Sequence, residues 1–114
     1  MTKDQLYLLP IDFEDQGKTY YCPGCVELLG VLESYPQLKE KVEIHYVDFP
    51  RPRPKLVEKI GEENQGAPVL ILAKKPSNLP THLKIEEANG FSFVADAREI
   101  GEYWAHAYGI GLPH

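Results

Sequence analysis

Cys22-Pro23-Gly24-Cys25 stands directly ahead of an apolar stripe of helical period. That junction limits the fold more than any other stretch of the chain. Cys25, Leu28, Leu29, Leu32 and Tyr35 recur at three- and four-residue spacing, so they share one face of a helix. Pro23 suits the first turn, where its missing N–H has no intrahelical partner to lose. The spacing predicts a helix from about Cys22 to Ser34, with Cys22 at the N-cap and Cys25 in the first turn. Pro36 closes it, because proline disfavours a helical predecessor.

This placement sets the chemistry of the pair. The first amides of a helix lack partners, and with the helix dipole they favour negative charge at the cap. Cysteines so placed ionise more readily than free thiols. Cys22 is therefore expected as an attacking thiolate and Cys25, turned toward the core, as the resolving thiol. Lys18 adds a weak positive charge nearby. A disulfide between them would close a loop of only four residues, Cys22 to Cys25. Such a closure stabilises by roughly 2 kcal/mol, a poor staple but an easily reversed bond. Two other readings stay open. Reduced cysteines are often small buried hydrophobes, and a cysteine pair can also bind metal. Zinc wants four ligands, and the chain holds no second pair. His45, His82, His106 and His114 show no ligand spacing and read as surface or internally satisfied side chains, so no metal site is expected.

The chain has 114 residues and a formal net charge of −5, which fits one domain, residues 1–114. Hydrophobic residues at 43% supply enough apolar surface for a core. The acidic balance argues against a nucleic-acid partner, since neutralising phosphates needs surplus Lys and Arg. No apolar run approaches the length of a membrane helix, and Met1-Thr2-Lys3-Asp4 lacks the basic start of a secretion signal. A reducing, cytoplasmic location follows as the expectation, where cysteine pairs are rarely structural clamps.

The rest of the chain reads as scaffold. Gln5 to Phe13 is an apolar strand interrupted near Pro10, of the kind covered on both faces. Val42 to Phe49 is a second strand, with Val42, Ile44, Tyr46 and Asp48 on one face. The cysteine helix lies between them, which favours a parallel pair. Pro50-Arg51-Pro52-Arg53-Pro54 is a stiff extended link; Arg51 and Arg53 read first as solvated, with an anion-binding pair near the cysteines as the alternative. Pro54 starts a short helix buried through Leu56, Val57 and Ile60, with Gly61 as its stop. Pro68 opens a strand, Val69 to Leu72; a cis Ala67–Pro68 bond does not follow from local sequence. His82 to Glu86 is a strand stub of uncertain assignment, Asn89-Gly90 a turn, and Phe91 to Val94 a strand. Asp96 with Glu99 forms a capping box. It opens a helix buried through Ile100, Tyr103, Trp104, Ala107 and Tyr108 and ended by Gly109. Ile110 to His114 reads as a frayed tail.

The order strand, Cys-x-x-Cys helix, strand, helix, Ala-Pro strand, strand, helix resembles the thioredoxin-like superfamily. The resemblance implies an α/β thioredoxin-like fold, with a central four-stranded mixed sheet flanked by helices. It also implies Cys22 as nucleophile, Cys25 as resolving thiol and Pro68 as a cis proline facing them. The proline after the first cysteine is similar to glutaredoxins. Asp12-Phe13-Glu14-Asp15, Tyr20-Tyr21-Cys22-Pro23, Phe49-Pro50-Arg51-Pro52-Arg53 and Asn64-Gln65 resemble, more closely, small bacterial thioredoxin-like proteins with a domain of unknown function. The polar loop Glu14 to Tyr21 is longer than thioredoxins use and reads as a lid or recognition loop. Gly66-Ala67-Pro68 replaces the Thr-Val-Pro that glutaredoxins use against glutathione. That change leaves a backbone contact available and removes the side-chain part. Asp12 or Asp15 could accept the Cys25 proton, although a turn carboxylate fits their spacing better.

The leading expectation is thus a thiol–disulfide oxidoreductase needing no cofactor. Its partner would be a protein or low-molecular-weight disulfide, glutathione among them, held by Tyr21, Ala67, Arg51 and Arg53. The alternatives are a non-catalytic binding module of the same fold and a metal site shared across a dimer, two cysteines per chain. The oligomeric state is not legible.

Overall fold

Asp4–Leu8 forms the first strand, β1, and its side chains explain its position. Leu6, Tyr7 and Leu8 are all buried, as a strand covered on both faces requires. β1 pairs in parallel with β4 (Val42–Tyr46) on one side and antiparallel with β5 (Val69–Ile71) on the other. β5 pairs with β7 (Phe91–Ala95), and β7 with β6 (Glu86–Ala88), both antiparallel. The computed structural model describes residues 2–114. Its main sheet is mixed and five-stranded, in the order β4-β1-β5-β7-β6.

The helices are α1 (Pro23–Ser34), α2 (Pro54–Ile60) and α3 (Ala97–Tyr108), with a short 3-10 turn at Pro36–Glu40. α1 buries Cys25, Leu28 and Leu32 and packs against α3. α3 buries Ile100, Tyr103 and Trp104, the single tryptophan. The parallel β1–α1–β4 unit follows the expected pattern. Among the described residues no helix is long and apolar enough to cross a membrane.

Several expectations are corrected. The sheet has five strands rather than four, because the stub near His82–Glu86 is a true edge strand displaced to Glu86–Ala88. β1 ends at Leu8 rather than Phe13. The loop Glu14 to Tyr21 is a hairpin, with β2 (Phe13–Asp15) paired to β3 (Lys18–Tyr20). Gln16 and Gly17 both have positive φ (51° and 79°), the two-residue turn that matches strand twist. β4 stops at Tyr46 and is a sheet edge, which leaves Ile44 and Tyr46 exposed. Asp96 precedes α3 at φ 78° and its side chain caps nothing, so the capping box does not form. The tail is packed rather than frayed: Ile110 joins the core, and a methyl added at Gly101 would meet Pro113 Cγ at 3.0 Å.

Asp4 fastens the two ends of the chain. Its buried carboxylate accepts the Ala73 N–H at 2.8 Å and the Tyr108 hydroxyl at 3.0 Å. Burial, and then the nearby Asp4 charge, push the Tyr108 hydroxyl above its ordinary pKa. Asp4→Ala removes one acceptor and strands two donors. The expected loss is about 2–4 kcal/mol, read by urea unfolding through Trp104 fluorescence; an unchanged midpoint would refute the clamp.

Candidate functional site: a cysteine pair beside a buried arginine

The cysteines lie where four elements converge. β1 and β4 end here; β5 runs antiparallel to β1 and begins here. α1 starts here with Cys22 as its N-cap, φ −85° and ψ 112°. The Cys25 N–H donates to Cys22 Sγ at 3.2 Å, satisfying one of the orphan amides of a helix start. Cys22 is half-buried and Cys25 is 1% exposed; both are free thiols.

Cys25 points inward behind Cys22. Its Sγ accepts the Leu9 N–H at 3.4 Å, from the residue after β1. Burial, above all, pushes the Cys25 thiol up to about 12, with the hydrogen bond to Cys22 and the charge of Cys22 adding to it. The Leu9 amide and the Arg53 charge act in the opposite direction. No carboxylate figures among these influences, which agrees with the reading of Asp12 and Asp15 as turn carboxylates. Asp12 is exposed in the loop before the hairpin, at φ 64°.

Pro68 packs beside the first turn of α1. A methyl added to Gly24 would approach Pro68 Cδ to 3.2 Å and Ala97 Cβ, at the start of α3, to 3.3 Å. Glycine thus suits this close approach between α1, Pro68 and the start of α3, where a larger residue would need its neighbours to give by a few tenths of an ångström. The Ala67–Pro68 bond is cis, and so is Arg51–Pro52, which the sequence did not suggest.

Arg53 overturns its first reading as a solvated side chain. It is only 6% exposed, and its guanidinium donates to backbone carbonyls alone. Nε reaches Asp48 O at 3.1 Å and Phe49 O at 3.2 Å; Nη1 reaches Gln65 O at 2.7 Å; Nη2 reaches Phe49 O at 2.6 Å. Gln65 answers in kind, its Oε1 accepting the Arg53 backbone N–H at 2.7 Å. The link before α2 is thereby tied to the segment before Pro68. Among the described residues Arg53 has no carboxylate partner. Burial and then Arg51 lower its pKa, while Cys25 and Cys22 raise it. The cation therefore lies within electrostatic reach of both sulfurs.

An aromatic row joins the hairpin to this cation. Phe13 stacks on Tyr20 (6.2 Å) and on Phe49 (4.7 Å), and the Arg53 guanidinium lies 5.9 Å from the Phe49 ring centre. The hairpin is thus anchored, with Tyr20 and Tyr21 exposed next to Cys22. Of the expected site residues, Cys22, Cys25, Pro68 and Arg53 cluster, and Ala67 is half-buried beside them in sequence. Tyr21, 59% exposed, stands on the rim. Arg51 is exposed and acts on Arg53 as a like charge. A larger surface cleft of about 510 Å³ lies along Tyr46, Asp48, Pro50, Pro52, Arg53 and Lys55, and neither cysteine lines it.

Sequence reasoning missed Gln65. The signals were its place three residues before Pro68 and the Asn64-Gln65 resemblance, and neither reveals a hydrogen-bonded pair with Arg53.

Fold and site together define an α/β protein with a free cysteine pair at a helix start and a buried cation close by. The chain belongs to the family described as Protein of unknown function (DUF3088), whose sequence model matches residues 3–112. No curated protein and no solved structure matches it.

Proposed function

We propose that this chain is a thiol–disulfide oxidoreductase with a thioredoxin-like fold, acting in a reducing, cytoplasmic compartment. One observation carries the reading. Cys22 Sγ sits half-buried at the N-cap of α1, receiving the Cys25 amide at 3.2 Å, with the Cys25 thiol directly behind it. A helix start of this kind favours the thiolate, which is the attacking species.

The exchange balances in three steps. The Cys22 thiolate attacks one sulfur of a substrate disulfide; the S–S bond breaks and the first substrate thiolate departs. That thiolate is the base available for the Cys25 proton. The Cys25 thiolate then attacks Cys22 Sγ, forms the Cys22–Cys25 bond and expels the second substrate thiolate. The substrate gains two electrons and the pair loses two. A low-molecular-weight thiol or an external dithiol restores the pair.

The environment orders these steps. While Cys22 is ionised, its charge and hydrogen bond hold the Cys25 proton in place. Once Cys22 is in a mixed disulfide, both effects vanish and the Leu9 amide and Arg53 still favour the Cys25 thiolate. Burial, the largest cause, still opposes ionisation, so the mixed disulfide makes the Cys25 proton easier to lose than it is in the free pair. Exposed Tyr20, Tyr21 and Val26 around Cys22 support a protein or peptide disulfide as substrate, with glutathione disulfide as the small-molecule case.

The test is reduction of insulin disulfides with an external dithiol. Turnover above the dithiol background is expected for the native chain, and background alone for Cys22→Ser. Equal rates for the two would leave a non-catalytic binding module and end the enzymatic reading.

A further inference from the structure

The histidines are not all scattered. Glu102 and His106 are four residues apart on α3, so they project from one face. His82, in the link before β6, reaches them from 20 residues away in sequence, its Nε2 lying 2.7 Å from Glu102 Oε1. The His82 and His106 rings meet edge to face at 5.8 Å. One ligand atom from each of the three side chains lies within 4.8 Å of the others.

We propose that His82, Glu102 and His106 form a binding site for a divalent transition-metal ion of the zinc class. Two imidazoles and one carboxylate are a donor set for zinc, nickel or copper, whereas magnesium and calcium prefer oxygen alone. Bonds of 2.0–2.1 Å in a tetrahedron place ligand atoms about 3.3 Å apart, so the His82–Glu102 pair at 2.7 Å must open and any wider pair must close around the ion. His82 and His106 are exposed, and their rings turn without unpacking the core. Three protein ligands leave a fourth position for water or an external ligand. Lys84, two residues after His82, pairs one turn earlier on α3 with Glu99, Nζ to Oε1 3.9 Å.

The site is separate from the cysteines. Ala97, the α3 residue nearest Gly24, precedes Glu102 and His106 by a rise of roughly 8–14 Å along the helix axis. The proposal therefore does not rest on the thiol chemistry.

The test uses Cys22→Ser/Cys25→Ser protein, so that no sulfur competes for metal. Zinc is titrated against a chromophoric chelator. Saturable binding of one zinc per chain is expected. His82→Ala and His106→Ala should each weaken it at least about tenfold, with urea midpoints unchanged because both side chains are exposed. His45→Ala and His114→Ala, elsewhere in the chain, should stay within about twofold. Absence of saturable binding, or equal affinity after His82→Ala and His106→Ala, would overturn the proposal.

Discussion

Limiting iodoacetamide at neutral pH should modify Cys22 and leave Cys25 untouched. The asymmetry follows from burial acting in two ways, on access and on ionisation. Cys25 is 1% exposed, and its pKa stands at about 12 against an ordinary 9.0, which leaves ~1,000-fold less thiolate. Alkylation needs the thiolate. In Cys22→Ser the charge of Cys22 disappears, but burial, the largest cause, stays. Cys25 in that variant should still react at least ~100-fold more slowly than Cys22 in Cys25→Ser. Rates are read by mass spectrometry of the alkylated peptides. Equal rates in the two variants would mean that the sulfurs have no division of roles.

Arg53→Met should harm both fold and chemistry, and the two effects can be separated. Loss of the guanidinium strands the carbonyls of Asp48, Phe49 and Gln65. The expected cost is about 3 kcal/mol, seen in urea unfolding. The cation also favours the Cys25 thiolate. Well below the unfolding midpoint, the mixed disulfide on Cys22 should therefore resolve measurably more slowly in Arg53→Met. Arg53→Lys keeps the charge but not the planar fork. It should recover part of the resolution rate while remaining destabilised. A purely structural Arg53 would give the same resolution rate in all three proteins.

The parts of the molecule legible in the sequence are those set by neighbours in the chain. Pro23 and the Cys25–Leu28–Leu32 stripe specify α1 and put Cys22 at its cap. The apolar run in β1 marks an interior strand, and Asn89-Gly90 marks the β6–β7 turn, both residues at positive φ. The hairpin was also legible in principle, since Gln16-Gly17 is the same kind of turn. Its charged flanks, Glu14, Asp15 and Lys18, disguised strands that are held mainly by Phe13 stacking on Phe49.

What stayed hidden depends on distant partners. Arg53 is buried because carbonyls of the preceding link and of Gln65, 12 residues on, converge on it. An Arg between prolines carries no mark of that. His82 meets Glu102 across a link and a β-hairpin, which no spacing of the histidines in the chain reveals. The Asp96–Glu99 pattern misled because φ at Asp96 is 78°, which turns its side chain away from the cap role.

The midpoint potential of the Cys22–Cys25 couple, measured in glutathione redox buffers, tests the central claim most directly. A pair that exchanges disulfides in a reducing compartment should titrate within about −180 to −270 mV, alongside other catalytic couples. A midpoint below about −300 mV, where inert structural bridges lie, or a pair that does not oxidise at all, would contradict the account.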